Sequence, residues 1–164
     1  MKTVVITATA RTAIGDFGGA LRDYPASDLM ALVIREVVNR AGIAPDMVGD
    51  VIVGQCLQRT DESNLARISV LKAGLPIEVP GVTVHRNCAS GMQAIDSAIA
   101  NLQCGRSQLV LAGGVDALSH APLLFSEKMV RWLAGWYAAR STGDRLAMLK
   151  SFRLGHLAPV IGIM

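Results

Sequence analysis

The sequence predicts an α/β fold built on a mostly parallel sheet, and three observations carry that expectation. Short β-branched runs alternate with helix-period runs along residues 3–112, the arrangement that parallel strands need for their crossovers. Thr3–Thr7 is β-branched and continuously apolar instead of alternating, as in a strand buried on both faces. The chain has 164 residues, 51% hydrophobic and 18% charged, which is enough to bury a core and too apolar for disorder.

The elements follow in order. Thr3–Thr7 is expected as a first strand, buried on both faces. Arg11 to Gly19 reads as a glycine-bearing loop. Ser27 or Asp28 can cap a helix whose apolar positions are Leu29, Met30, Leu32, Val33 and Val37; Gly42 stops it and Pro45 lies beyond. Val51–Val53 is the next strand. A helix from about Asn64 to Ala73 ends at Gly74, with Pro76 soon after. Val82–Val84 is a third strand, Ala89–Gln103 a helix ending near Gly105, and Leu109–Ala112 a fourth strand closed by Gly113-Gly114.

After Ala121-Pro122 the texture changes. Met129, Val130, Leu133, Trp136 and Tyr137 share one helix face, with Lys128, Arg131 and Arg140 off it. Thr142-Gly143-Asp144 reads as a turn. Leu157 to Met164 is apolar and lacks a stop signal, so the chain is expected to be cut from something longer. The division expected is an α/β unit over 1–122 and a helical region over 123–164.

Charge and cysteine usage narrow the function classes. A formal net charge of +3 does not argue for nucleic acid. The charge is uneven: residues 126–164 hold six basic against two acidic side chains, together with both tryptophans. The amphipathic stretch 128–140 can lie on a membrane surface or pack on its own protein. Cys56, Cys88 and Cys104 form no C-x-x-C pair, and no histidine cluster completes a zinc site, so neither a bound metal nor a disulfide scaffold is expected. A reducing, cytoplasmic setting fits that usage. Val4-Val5-Ile6 is too short for a signal h-region, and no run approaches the ~18 apolar residues of a membrane span.

One stretch invites chemistry. In VTVHRNCASGMQAIDSAIANLQCG, Val82 to Gly105, Cys88 stands where a strand becomes a helix. A thiol there meets unpaired backbone N–H groups and the positive end of the helix dipole. Both favour the thiolate, and the same N–H groups can bind an oxyanion. Ala89, Ser90 and Gly91 are small enough to admit a substrate. The arrangement resembles a hydrolase nucleophile elbow without its G-x-S-x-G. The competing reading is a small buried hydrophobe. Cys56 follows a strand in a polar loop, and Cys104 sits at a helix C-terminus, where the dipole opposes a thiolate. His85, His120 and His156 are not paired with Cys88 by spacing. Gly18-Gly19 and Gly113-Gly114 match no nucleotide-binding loop.

Five motifs then fall in one order. They are Arg11-Thr12-Ala13-Ile14-Gly15 with Phe17-Gly18-Gly19; Gly54-Gln55-Cys56-Leu57-Gln58; Ala73-Gly74-Leu75-Pro76 with Val79-Pro80; Asn87-Cys88-Ala89-Ser90-Gly91-Met92-Gln93-Ala94; and Ala112-Gly113-Gly114-Val115-Asp116-Ala117-Leu118-Ser119 with Ala121-Pro122. Over roughly residues 3–125 the sequence resembles the N-terminal half of a thiolase. Val115-Asp116 stand where that family usually has Met-Glu. Residues 152–160 resemble, more weakly, the start of the loop domain in the fatty-acid-degrading branch, which would make 123–164 the truncated beginning of that domain.

The resemblance implies a thiolase-like half-fold, a mostly parallel mixed sheet covered by helices. It implies an acyltransferase in which Cys88 is acylated by a coenzyme A thioester. A second acyl-CoA, or CoA itself, completes condensation or cleavage of a 3-ketoacyl-CoA. No permanently bound cofactor is implied. The partners implied are acyl-CoA or CoA, a second copy in a dimer or tetramer, and a β-oxidation α-subunit. The family also uses a Gly-His-Pro histidine, an Asn-Glu-Ala asparagine and a Cys-x-Gly-x-Gly cysteine, and none of these motifs occurs in the 164 residues. The fragment alone is therefore expected to be inactive. The helix carrying Ala94, Ile95, Ala98 and Ile99 is expected to be covered by a second half-domain, with Asp96 a buried charge in need of a partner. Two other readings stay open: a non-catalytic truncated paralogue that persists as a dimerisation half-domain, and a ketoacyl-synthase-type condensing enzyme. The Arg-Thr-Ala-Ile-Gly and Gly-Leu-Pro motifs favour thiolase over the latter.

Overall fold

The computed structural model describes residues 3–122, 124–158 and 160. They divide into two compact units, Met1–Ala121 and Pro122–Met164.

The first unit is a three-stranded parallel sheet between helices. Its strands are β1 (Asp50–Gly54), β2 (Gly81–Val84) and β3 (Val110–Gly114), in spatial order β2-β1-β3. The central strand pairs Val51 with Gly81 on one side and Asp50 with Val110 on the other. Its apolar residues divide between the two faces, as the two-residue period of a strand requires. Val51 and Val53 join a core with Met30 and Ile34 of α1 (Ala26–Ala41) and Leu65 and Val70 of α2 (Leu65–Ala73). Ile52 packs instead on Ala94 and Ala98 of α3 (Ser90–Gln103). The continuous Val-Ile-Val run thus marks a strand covered on both faces.

The helix ends follow the sequence signals. Gly42 and Gly74 both take left-handed backbone, φ 63° and 82°, to close α1 and α2. The Asn64 side chain accepts from Arg67 N–H and caps α2. The start of α1 differs from expectation. Pro25 precedes its first residue and no side chain caps it. Ser27 lies inside the first turn, where its buried hydroxyl bonds the Glu62 carboxylate and accepts from Lys72 Nζ at 2.7 Å. Lys72 also pairs with Asp28 Oδ1 at 2.7 Å. Both candidate caps are therefore used to tie α1 to α2.

The expected first strand does not form. Thr3–Thr7 has no regular secondary structure, and Val5 and Ile6 are 71% and 78% exposed. A β-branched run states what would be buried on pairing, but a strand also needs a partner edge. Asp96 is exposed and accepts from Gln93 Nε2 at 3.3 Å, so it is no buried charge in this chain. Ala94 and Ala98 are buried on the sheet, while Ile95 and Ile99 remain partly exposed.

The second unit holds α4 (Glu127–Ala138) and α5 (Thr142–Ser151). Thr142-Gly143-Asp144 opens α5 and is not a free turn. Ser141 and Asp144 form a capping box, each side chain bonding the other's backbone N–H, and this converts polar turn residues into a helix start. Trp132 stacks on Trp136 at 5.7 Å and meets Phe152 edge-on at 5.0 Å, while its indole N–H donates to Met148 O at 3.0 Å. Of the apolar terminal stretch, Pro159 and 161–164 lie outside the described residues. Among the described residues no helix is long and apolar enough to cross a membrane.

Candidate active site

The C-terminal ends of β1 and β3 are glycines, and the start of α3 rests on them. A Cβ added to Gly54 would lie 2.3 Å from the Ser90 carbonyl carbon, and one on Gly114 would lie 3.2 Å from Gly91 Cα. Backbone therefore packs on backbone, which only glycine permits there. This places the helix N-terminus at the carboxyl end of the parallel strands, where open α/β sheets bind ligands.

Between β2 and α3 the chain turns through residues 85–89. Asn87 has φ 48°, a left-handed conformation that asparagine tolerates better than most residues. Three donors converge on its carbonyl oxygen: Ser90 Oγ at 2.6 Å, Ser90 N at 3.0 Å and the Cys56 thiol at 2.7 Å. The Ser90 hydroxyl in turn accepts from Arg86 N–H at 2.8 Å. Ala89 N–H donates to Arg86 O at 3.0 Å. Cys88 sits inside this closed turn and is exposed. Cys88 is therefore not buried within this chain. The N–H groups of Gly91 and Met92, in the first turn of α3, find no acceptor among the described residues.

Cys88 opens onto a cleft of about 290 Å³ lined by Gly54, Cys56, Cys88, Ser90, Gly91, Gly114, Val115 and Asp116. Asp116 Oδ1 accepts from the N–H groups of Cys56 at 3.0 Å and Leu57 at 2.9 Å, fixing the loop after β1. Burial pushes the Cys56 thiol above its ordinary pKa, and the Asp116 carboxylate adds to the rise against a lowering contact from Ser90.

The other candidates lie elsewhere. Cys104 caps the far end of α3, about 20 Å along a helix of 14 residues. His85 Nδ1 donates to Gln55 O at 2.9 Å, and His120 Nδ1 accepts from Arg59 Nη1 at 3.0 Å. His156 lies in the second unit against Phe152. Gly18 N–H donates to Ser119 Oγ at 2.9 Å, which anchors the first glycine loop structurally. No group of three or more metal-ligating side chains occurs among the described residues. Sequence reasoning did not join Cys56 to Cys88. The signal was available in its position just past the end of β1, since parallel strands bring their carboxyl ends to one edge.

Fold and site together define an α/β protein with an exposed cysteine at a strand-to-helix corner. The chain belongs to the thiolase family: the thiolase N-terminal domain matches residues 4–155. It is 42% identical over 124 residues to a probable acetyl-CoA acyltransferase of Staphylococcus aureus (strain MRSA252), covering 76% of this chain and 32% of the relative. It is 43% identical over 122 residues to an acetyl-CoA acetyltransferase of Cupriavidus necator, covering 74% and 31%. The crystal structure of the Bacillus anthracis acetyl-CoA acetyltransferase superposes with a TM-score of 0.74 at 49% identity, covering 78% of this chain and 32% of that one. The chain thus spans about a third of the length of these relatives.

Proposed function

We propose that this chain is the nucleophile-bearing part of an acyl-CoA acyltransferase, with Cys88 as the acyl acceptor. The observation that carries the reading is the exposed Cys88 at the elbow, beside an open cleft and the N–H groups of Gly91 and Met92, which find no acceptor among the described residues. In the step envisaged, the Cys88 sulfur attacks the thioester carbonyl. The carbonyl oxygen becomes an oxyanion, for which the first turn of α3 supplies donors and a favourable dipole. Collapse expels CoA thiol, which carries away the proton, and leaves an acyl-cysteine. Names of the relatives, acetyl-CoA acyltransferase and acetyl-CoA acetyltransferase, support the acyl-CoA substrate class.

The rest of the cycle is assigned to groups outside these 164 residues, which contain no Gly-His-Pro, Asn-Glu-Ala or Cys-x-Gly-x-Gly motif. Residues 123–164 are proposed as the opening of the loop domain. A second half-domain is proposed to cover the outer face of α3, where Met92, Ile95 and Ile99 are exposed. Assembly as a homo-oligomer, and service in β-oxidation with an α-subunit, belong to the same reading.

Incubation of the full-length protein proposed to contain this chain with acetyl-CoA, followed by peptide mass measurement, tests it. The expected result is acetylation of Cys88 alone, and slower iodoacetamide alkylation of Cys88 when a CoA thioester is present. Equal alkylation of Cys56, Cys88 and Cys104 without protection would instead support a non-catalytic half-domain.

A further inference from the structure

We infer that Cys56 and Cys88 form a peroxide-responsive thiol pair, closing to a disulfide across the candidate cleft. The cleft between the ends of β1 and β3 is lined by both sulfur-bearing residues. Their proximity follows from one contact. The Cys56 sulfur lies 2.7 Å from Asn87 O. That oxygen and the Cys88 Cα belong to the same planar peptide unit, about 2.8 Å apart, so the Cys56 sulfur is within about 5.5 Å of the Cys88 Cα. Neither residue lies in a helix or a ladder strand: Cys56 is in a bend and Cys88 in the elbow. Rotation about the two χ1 angles, with a small shift of these loops, brings the sulfurs together.

The two thiols differ in the way such a pair requires. Cys88 is exposed and meets a soluble oxidant first, whereas Cys56 is half-buried beside it and is placed to resolve the product. Hydrogen peroxide is the oxidant class. The Cys88 sulfur attacks one peroxide oxygen, the O–O bond breaks, and the departing hydroxide takes the thiol proton as water. This leaves a sulfenic acid. The Cys56 sulfur then attacks Cys88, the S–S bond forms, the S–O bond breaks, and the hydroxyl leaves as water with the Cys56 proton. Two thiols are oxidised and one peroxide is reduced to two waters. A dithiol reductant reverses the change.

The crosslink rests on this geometry alone. Its consequence rests on the acyl-transfer reading: a closed pair removes the acyl acceptor and occupies the cleft, so the oxidised protein is not acylated until reduced.

The experiment treats the reduced full chain with hydrogen peroxide, blocks remaining thiols with a maleimide, and maps the non-reduced digest of the monomer band. The expected product is a Cys56–Cys88 linked peptide, with Cys104 recovered as the maleimide adduct. In Cys56→Ser the linked peptide is lost and dimedone captures Cys88 as sulfenic acid, while Cys104→Ser keeps the link. Recovery of Cys88 as sulfinic acid with Cys56 maleimide-labelled, or of links to Cys104 or between chains in comparable yield, overturns the inference. Failure of acetyl-CoA to label Cys88 would overturn the acyl-transfer reading and leave the crosslink result standing, so the two failures are separable.

Discussion

The hydroxyl of Ser90 donates to the carbonyl oxygen of Asn87 at 2.6 Å, across the turn that contains Cys88. The same hydroxyl accepts from Arg86 N–H, so one buried side chain closes both ends of the elbow. Asn87 is the one non-glycine with left-handed backbone among the described residues, and this contact holds it there. Ser90→Ala leaves the Arg86 N–H without its acceptor and removes one of the three donors to the Asn87 carbonyl, at a cost of about 1–3 kcal/mol. A lower denaturation midpoint and a changed alkylation rate at Cys88, with that at Cys104 unchanged, are the expected outcomes. An unchanged Cys88 rate would show that the elbow holds its shape without the hydroxyl.

Backbone strain gives a graded test at the neighbouring position. Asn87→Gly is expected to be nearly neutral, because glycine adopts φ 48° freely. Asn87→Val is expected to lose about 1–2 kcal/mol or more, since a β-branched side chain is excluded from that region. Urea denaturation of the two variants side by side reads the difference. The reverse ranking would mean that the Asn87 side chain, and not its φ, carries the position.

Gly54→Ala tests the seat of α3. The added carbon would meet the Ser90 carbonyl carbon at 2.3 Å, and backbone cannot give way as a flexible side chain can. The expected loss is about 3 kcal/mol or more, with the start of α3 displaced from β1. Gly105→Ala, at the far end of α3 with open space around it, costs only its left-handed φ of 73°, about 1 kcal/mol. Circular dichroism during thermal unfolding separates the two.

The raised Cys56 thiol makes two pH statements. Because burial and the Asp116 carboxylate hold it protonated, it is expected to alkylate at a higher pH than a free thiol. Asp116→Asn removes the charge, and the Cys56 rate profile should move toward acid without reaching that of a free thiol, since burial remains. For stability, the unfolded chain releases this proton first as pH rises. The contribution is whole below the ordinary thiol pKa and is lost as pH climbs through the raised folded value. Cys56→Ser should flatten that part of a stability–pH curve; an unaltered slope would assign it to other groups.

Much of the fold was legible because its signals are local. Gly42 and Gly74 end helices by their own backbone freedom, and the runs at Val51–Val53, Val82–Val84 and Leu109–Ala112 each overlap a strand. The turn expected at Thr142–Asp144 went the other way because serine, glycine and aspartate serve turns and helix starts equally. The reciprocal bond between Ser141 and Asp144 settled which.

By itself, the sequence determined the alternation of strands and helices, the place of Cys88 at a strand-to-helix corner, and the five ordered motifs shared with the thiolases. Tertiary structure alone decided that Thr3–Thr7 stays unpaired, that Ser27 bonds across to Glu62 instead of capping its own helix, and that Cys56 reaches Asn87, 31 residues away in sequence. The physical reason is the same in each case. Propensity and capping act within one turn of chain, whereas pairing, burial and thiol contact belong to two segments at once and exist only when the fold brings both to the same place.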